Sequence, residues 1–114
     1  MKPIPTVNLK SDRPTVQEAL NRLERELNFA RQQGHSIVKI IHGYGSTGAG
    51  GDIRIAVQLR LRELSDSGSV RRCIFGEEWS TTSELAWKLL QSRPELKSDA
   101  DLGKRNLGIT IVLL

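Results

Sequence analysis

The sequence holds a single cysteine, two histidines and few aromatic residues, which make up 4% of its 114 positions. One cysteine cannot close an internal disulfide, and Cys73, set between Arg72 and Ile74, reads as a packed side chain rather than a reactive one. With only His35 and His42 beside it, the donor set argues against a structural zinc site, which takes four nitrogen or sulfur ligands. No stretch approaches the ~20 apolar residues of a membrane-spanning helix. The segment from Met1 to Pro5 has neither the apolar run nor the small-residue cleavage site of a signal peptide. The expectation is a soluble, cytoplasmic chain with no membrane partner, forming one domain over 1–114.

The charge is unevenly spread. The chain carries a net +4 with pI 9.6, and residues 31–72 hold seven Lys or Arg against three acids. Residues 73–101 reverse this, with three bases against six acids. The central unit is therefore suited to a polyanion, although a solvated basic face would give the same composition.

Periodicity predicts the elements. Ile4 to Leu9 is a short strand whose Pro3 and Pro5 suit a sheet edge. Thr15 and Glu18 form a capping box, and Val16, Ala19, Leu20, Leu23, Leu27 and Ala30 follow as one apolar stripe that Gly34 ends. Phe29 falls off the stripe. Ser36 to Ile41 is a second strand. Asp52 is placed to cap a second helix whose Ile53, Ala56, Val57, Leu61 and Leu64 line one side while Ile55 and Leu59 line another. A helix apolar on two sides is expected to touch two partners. Val70 to Phe75 is a third strand, and Thr81 with Glu84 offers a cap for a third helix ending near Ser92, the candidate second partner. Gly108 to Leu114 is almost wholly apolar, as a strand buried on both faces would be.

Alternating strands and helices imply parallel βαβ units. Right-handed crossovers put the first two helices on one face of the sheet, and the carboxyl ends of the parallel strands along one edge, where ligands of open α/β sheets bind. That edge would gather Lys10, Ser11 and Asp12 after the first strand, His42 and the glycines after the second, and Glu77 and Glu78 after the third. An antiparallel last strand would add Lys104 and Arg105.

The glycine-rich run from His42 to Gly51 contains Gly43, Gly45, Gly48, Gly50 and Gly51. Glycine lets backbone N–H groups approach a ligand closely, and at a helix start those groups are unpaired and favour an anion. A connection with no ligand would look similar. Two better-known loops fail on spelling. Gly45 to Asp52 has glycines at Walker spacing but Gly51-Asp52 where Lys-Ser/Thr is required. Gly43 to Gly48 spells GxGxxG, yet several further residues precede the helix, and the acid about twenty residues on would be Glu63 or Asp66, at or within a helix.

Ile40-Ile41-His42-Gly43-Tyr44-Gly45, the glycines after it and Ile53-Arg54 resemble the HGxGxG segment of the small MutS-related (Smr) domain family. Val7-Asn8-Leu9-Lys10-Ser11 stands where that family has an L-D-L-H or L-D-L-R block, followed here by Thr15-Val16-Gln17-Glu18-Ala19, and Gly108 to Leu114 matches its glycine-led final strand. Residues 77–104 read as a helical insertion between the third and fourth strands. The resemblance implies a two-layer α/β sandwich of order βαβαβ(α)β. Its mixed four-stranded sheet runs 1-2-4-3 with the last strand antiparallel, similar to the C-terminal domain of translation initiation factor three. It implies DNA or RNA as partner and, for some members, nicking or other endonuclease activity. Asn8 replaces the usual acid and Lys10 the usual His or Arg, and the glycine spacing is lengthened, changes that binding survives more easily than catalysis.

On this reading His42 is the candidate catalytic residue, by phosphate contact or acid–base work, with hydrogen bonding to the loop backbone as the alternative. Phosphate binding falls to Lys10, Gly43, Tyr44, Gly45, Gly48, Gly50, Gly51, Arg54, Lys104 and Arg105. Tyr44 could stack on a base or simply pack. Asp12, Glu77 and Glu78 are the candidate ligands for Mg²⁺ or Mn²⁺ should the chain be nucleolytic, with solvated carboxylates as the plainer reading. A second function class is a protein-interaction or homo-oligomerisation module, in which Trp79, Trp87, Ile55 and Leu59 form an apolar surface on the third or second helix.

Overall fold

The computed structural model describes residues 4–43 and 50–114. In chain order the elements are β1 (Thr6–Asn8), α1 (Val16–Gln32), β2 (Ile37–Ile41), α2 (Gly50–Asp66), β3 (Arg72–Phe75) and a 3-10 turn at Gly76–Glu78. They are followed by α3 (Glu84–Ser92), a second 3-10 turn at Pro94–Ser98 and β4 (Ile109–Leu113). The sheet runs β1-β2-β4-β3. Thr6 lies opposite Lys39 in the parallel β1–β2 pair, and Leu113 lies opposite both Ile37 and Arg72 in the two antiparallel pairs of β4. Ile109 to Val112 are all buried, so this strand needs cover on both faces and takes the centre. Proline-flanked β1 takes an edge.

Alternation along the strands divides the core in two. Val7, Val38, Ile40 and Val112 point to one face, where they meet Ala19, Leu23, Leu27 and Ala30 of α1 and Ile53, Val57 and Leu61 of α2. α1 starts as its spacing predicts: Thr15 Oγ1 accepts from the Glu18 N–H at 3.1 Å, and Glu18 Oε1 accepts from the Thr15 N–H at 2.9 Å. Gly34, at φ 81°, carries the chain out of the helix in the left-handed region. Leu23 and Leu27 are 0% and 1% exposed, each burial stabilising by about 2 kcal/mol. Arg60 joins α2 to Glu24 of α1 at 2.5 Å.

Ile37, Ile74, Ile109 and Ile111 point to the other face, covered by Trp79, Ala86, Leu89, Leu90 and Leu96. Two expectations change here. α3 does not meet α2, because the chain turns under the sheet after Gly76 and places α3 on the opposite face from α1 and α2. Ile55 and Leu59 are accordingly left 63% and 57% exposed. The cap of α3 is Ser83, whose side chain accepts from the Ala86 N–H, while Thr81 lies in the preceding turn. The start of α2 also differs: the helix begins at Gly50, so Asp52 lies in its first turn rather than capping it, and adds negative charge at the positive end.

The second face is fastened by polar groups. Lys39, at the centre of β2, places Nζ 2.9 Å from Asp99 Oδ1 and 2.5 Å from Asp101 Oδ2. Asp99 Oδ2 also accepts from the Trp79 indole N–H at 3.0 Å, and Asp101 Oδ1 accepts from Asn106 Nδ2 at 2.9 Å. The ammonium and Asn106 together hold the Asp101 carboxyl below its usual range.

Candidate functional site

The carboxyl ends of β1, β2 and β3 and the start of β4 share one end of the sheet, as the topology requires. β1 leaves this end through a turn built on Asn8, whose Oδ1 accepts from the N–H groups of Lys10 at 2.9 Å and Ser11 at 3.1 Å. Arg22 of α1 reaches the carbonyls of Asn8 and Ser11 at 3.4 and 3.3 Å. Asp12 and Arg13 then adopt φ of 66° and 48°, turning the chain towards Thr15. The residue that stands in place of an acid therefore shapes the turn that presents Lys10.

β2 ends beside β4. The His42 and Gly43 N–H groups both donate to the Gly108 carbonyl, at 2.9 and 3.1 Å. Gly43 has φ +74°, and a Cβ there would lie 3.5 Å from Lys10 Cδ, so the lysine stem crosses the glycine directly. The first turn of α2, with Gly50, Gly51 and Arg54, begins shortly after in the chain, and its leading N–H groups have no partner within the helix. Lys104 and Arg105 sit in an exposed turn that leads through Asn106 to Gly108 at the same end.

His42 turns into the fold. Its side chain is fully buried, with Nδ1 2.7 Å from the Gly43 carbonyl and Nε2 2.9 Å from Thr110 Oγ1. A carbonyl only accepts, so Nδ1 carries the proton and Nε2 accepts from the threonine hydroxyl. Burial pushes the imidazole below its ordinary pKa, against the pull of the Gly43 carbonyl, and the Arg54 charge lowers it further. The result is a neutral histidine with both nitrogens engaged inside the fold, a geometry that suits the backbone-holding alternative. Thr110 was the missed partner. A lone hydroxyl within Ile109-Thr110-Ile111-Val112 is its only trace in the sequence, since a buried hydroxyl needs a partner. Arg54 lies near enough for its charge to act on the ring, and its Nε is buried without a hydrogen-bond partner among the described residues.

The expected metal ligands do not converge. Asp12 follows β1 at one edge of the sheet, while Glu77 and Glu78 follow β3 at the other, three strand spacings or ~14 Å apart. All three are exposed, and among the described residues no three His, Cys, Asp or Glu side chains gather. These carboxylates do not fit a shared Mg²⁺ or Mn²⁺ site. Tyr44, Gly45 and Gly48 lie outside the described residues.

The proposed apolar partner surface does not form either. Trp79 is fully buried in the second-face core, and Trp87 on α3 is separated by the sheet from Ile55 and Leu59 on α2. Cys73 is half-buried, and its thiol is pushed up to about 11 by desolvation, as a packed cysteine should be.

The family model of the Smr domain matches residues 12–77. Among solved structures, the chain is similar to the crystal structure of the Smr domain of Thermus thermophilus MutS2. The two share 23% identity at a TM-score of 0.60, over 97% of this chain and 98% of that one. No curated protein matches.

Proposed function

The chain belongs to the Smr domain family, and from that membership we propose that it binds DNA or RNA through the end of the sheet where Lys10, Lys104 and Arg105 are exposed and α2 begins. The observation that carries this reading is the Lys10 stem lying across Gly43, which sets an exposed cation beside that glycine. Phosphate is then met by lysine and arginine charge and by N–H groups at the start of α2 that have no partner within the helix, contacts that hold a backbone without reading bases.

Cleavage has less support. Hydrolysis of a phosphodiester needs an activated water and stabilisation of the leaving oxygen. His42 is neutral and doubly hydrogen-bonded, Asn8 is committed to its turn, and Asp12 lies far from Glu77 and Glu78. The domain holds nucleic acid and cuts it poorly.

Retention on nucleic acid as a function of salt tests the binding. Lys10→Ala should weaken affinity for all sequences alike and lower the magnitude of the salt slope by about one contact. A slope unchanged in Lys10→Ala removes Lys10 from the interface. Efficient metal-dependent nicking of plasmid or structured RNA by the purified protein, abolished by His42→Ala in a variant that stays folded, would overturn the reading on cleavage.

A further inference from the structure

At the other end of the sheet, a cleft of about 460 Å³ opens between α3 and the strands. It is bounded by the start of β2, the approach to β3 and the end of β4, so it faces away from His42 and Lys10. Its floor and wall are aliphatic: Ile37, Ile74 and Leu113 come from the sheet, and Leu85 and Leu89 from the α3 stripe that also carries Lys88. Four cations border it, Arg71, Arg72, Lys88 and Arg93.

Two of those cations are already engaged. Arg93 pairs with Glu95 through Nε and donates to Ser36 Oγ at 3.1 Å. Lys88 meets Glu84 at 3.2 Å, an exposed pair one helical turn apart that holds its charge only loosely. The Arg71 and Arg72 side chains are exposed and make no ion pair or side-chain hydrogen bond among the described residues. The lining contains no carboxylate, amide or aromatic ring. Each of its two hydroxyls already makes one bond, Ser36 Oγ accepting from Arg93 and Ser92 Oγ donating to the Leu89 carbonyl at 3.0 Å.

A surface dominated by cationic donors and aliphatic contact favours a ligand made of acceptors and aliphatic groups. A nucleobase would find no ring to stack on and no carboxylate or amide acceptor for its amines. We propose that this cleft docks an acidic peptide segment of a partner protein, seating one Leu or Ile side chain against Leu85 and Leu89 while flanking carboxylates meet Arg71, Arg72 and Lys88. The size is that of a small-ligand pocket, and a carboxylate on an unpaired arginine forms a strong charge-assisted bond. This makes the domain two-ended, with phosphate at one end of the sheet and an acidic protein segment at the other.

Amide chemical shifts of the ¹⁵N-labelled protein test this, using the capped pentapeptide Glu-Asp-Leu-Asp-Glu, the same peptide with Ser in place of Leu, and an oligothymidylate. The leucine peptide should move the amides of Arg71, Arg72, Ile74 and Lys88 and saturate. The serine peptide should bind roughly tenfold more weakly, the effect of losing one buried aliphatic side chain. An Arg71→Glu, Arg72→Glu double variant, changed only at exposed positions, should lose the response while its other amides keep their shifts. Lys10→Ala should keep it, which separates this site from the nucleic-acid end. Absence of shifts at the cleft, equal binding of the two peptides, or movement of these amides by the oligothymidylate alone would each overturn the proposal.

Discussion

On one face of the sheet two helices of 17 residues each meet the strands through aliphatic side chains. On the other face a helix of 9 residues and two 3-10 turns do the covering, and the chain around them is fastened by Lys39, Asp99, Asp101 and Trp79. The first face draws its stability from a periodic pattern in which many contacts share the work. The second adds to a smaller apolar cluster a few polar contacts made across long stretches of sequence, so single changes at those contacts should act more locally and more sharply.

The largest effect is expected at the neck of the second face, where residue 76 enters the excursion and residue 106 leaves it. A Cβ on Gly76 would stand 1.7 Å from the Asn106 carbonyl oxygen, an impossible contact with backbone that cannot swing aside. Gly76→Ala should destabilise by about 3 kcal/mol or more. Hydrogen exchange should show residues 79–106 losing protection while α1 and β2 keep theirs. Equal loss on both faces would erase the contrast between them.

Lys39→Met comes next. It leaves Asp99 and Asp101, only 18% and 23% exposed in their side chains, facing each other without the ammonium. Uncompensated carboxylates in such a place are costly, and thermal melting should fall by several degrees, with part of the loss recovered in acid as the carboxylates protonate. A melting temperature unchanged from wild type would mean that the apolar contacts of α3 suffice to hold the second face.

The smallest effect sharpens the comparison from the helical side, whose most deeply buried titratable group is His42. Its folded pKa is lowered, so the unfolded chain takes the proton more readily. The stabilisation is complete above the unfolded value near ~6.5 and is lost as pH falls below it towards the folded value. The slope from this one group is at most about 1.4 kcal/mol per pH unit. Denaturant titrations of His42→Gln should lack that slope from about pH 6.5 downward.

The same division explains what could be read beforehand. Val16 to Ala30 and Ile53 to Leu64 announce their helices because burial repeats at helical spacing, and the unbroken run of β4 places it centrally. Asp99 and Asp101 look like any solvated acids until the fold brings Lys39 to them from sixty residues away. Trp79 likewise looks like a surface anchor until the turn at Gly76 folds it under the sheet. At the candidate site the sharing of one sheet end by Lys10, His42 and Gly108 follows from topology alone. That His42 faces inward depends on Thr110, a pairing that no spacing rule encodes.

The placement of β4 also governs the order in which the molecule can assemble. β2 and β3 do not touch each other, and each pairs with β4. β3 ends at Phe75, whereas β4 begins only at Ile109. During synthesis, β2 and β3 therefore emerge each with a backbone edge that waits for β4. The central ladder closes only once the strand that joins them has been made. Contacts so distant in sequence form slowly as a rule, and an interval with open edges is when such a chain is most exposed to pairing with a neighbour.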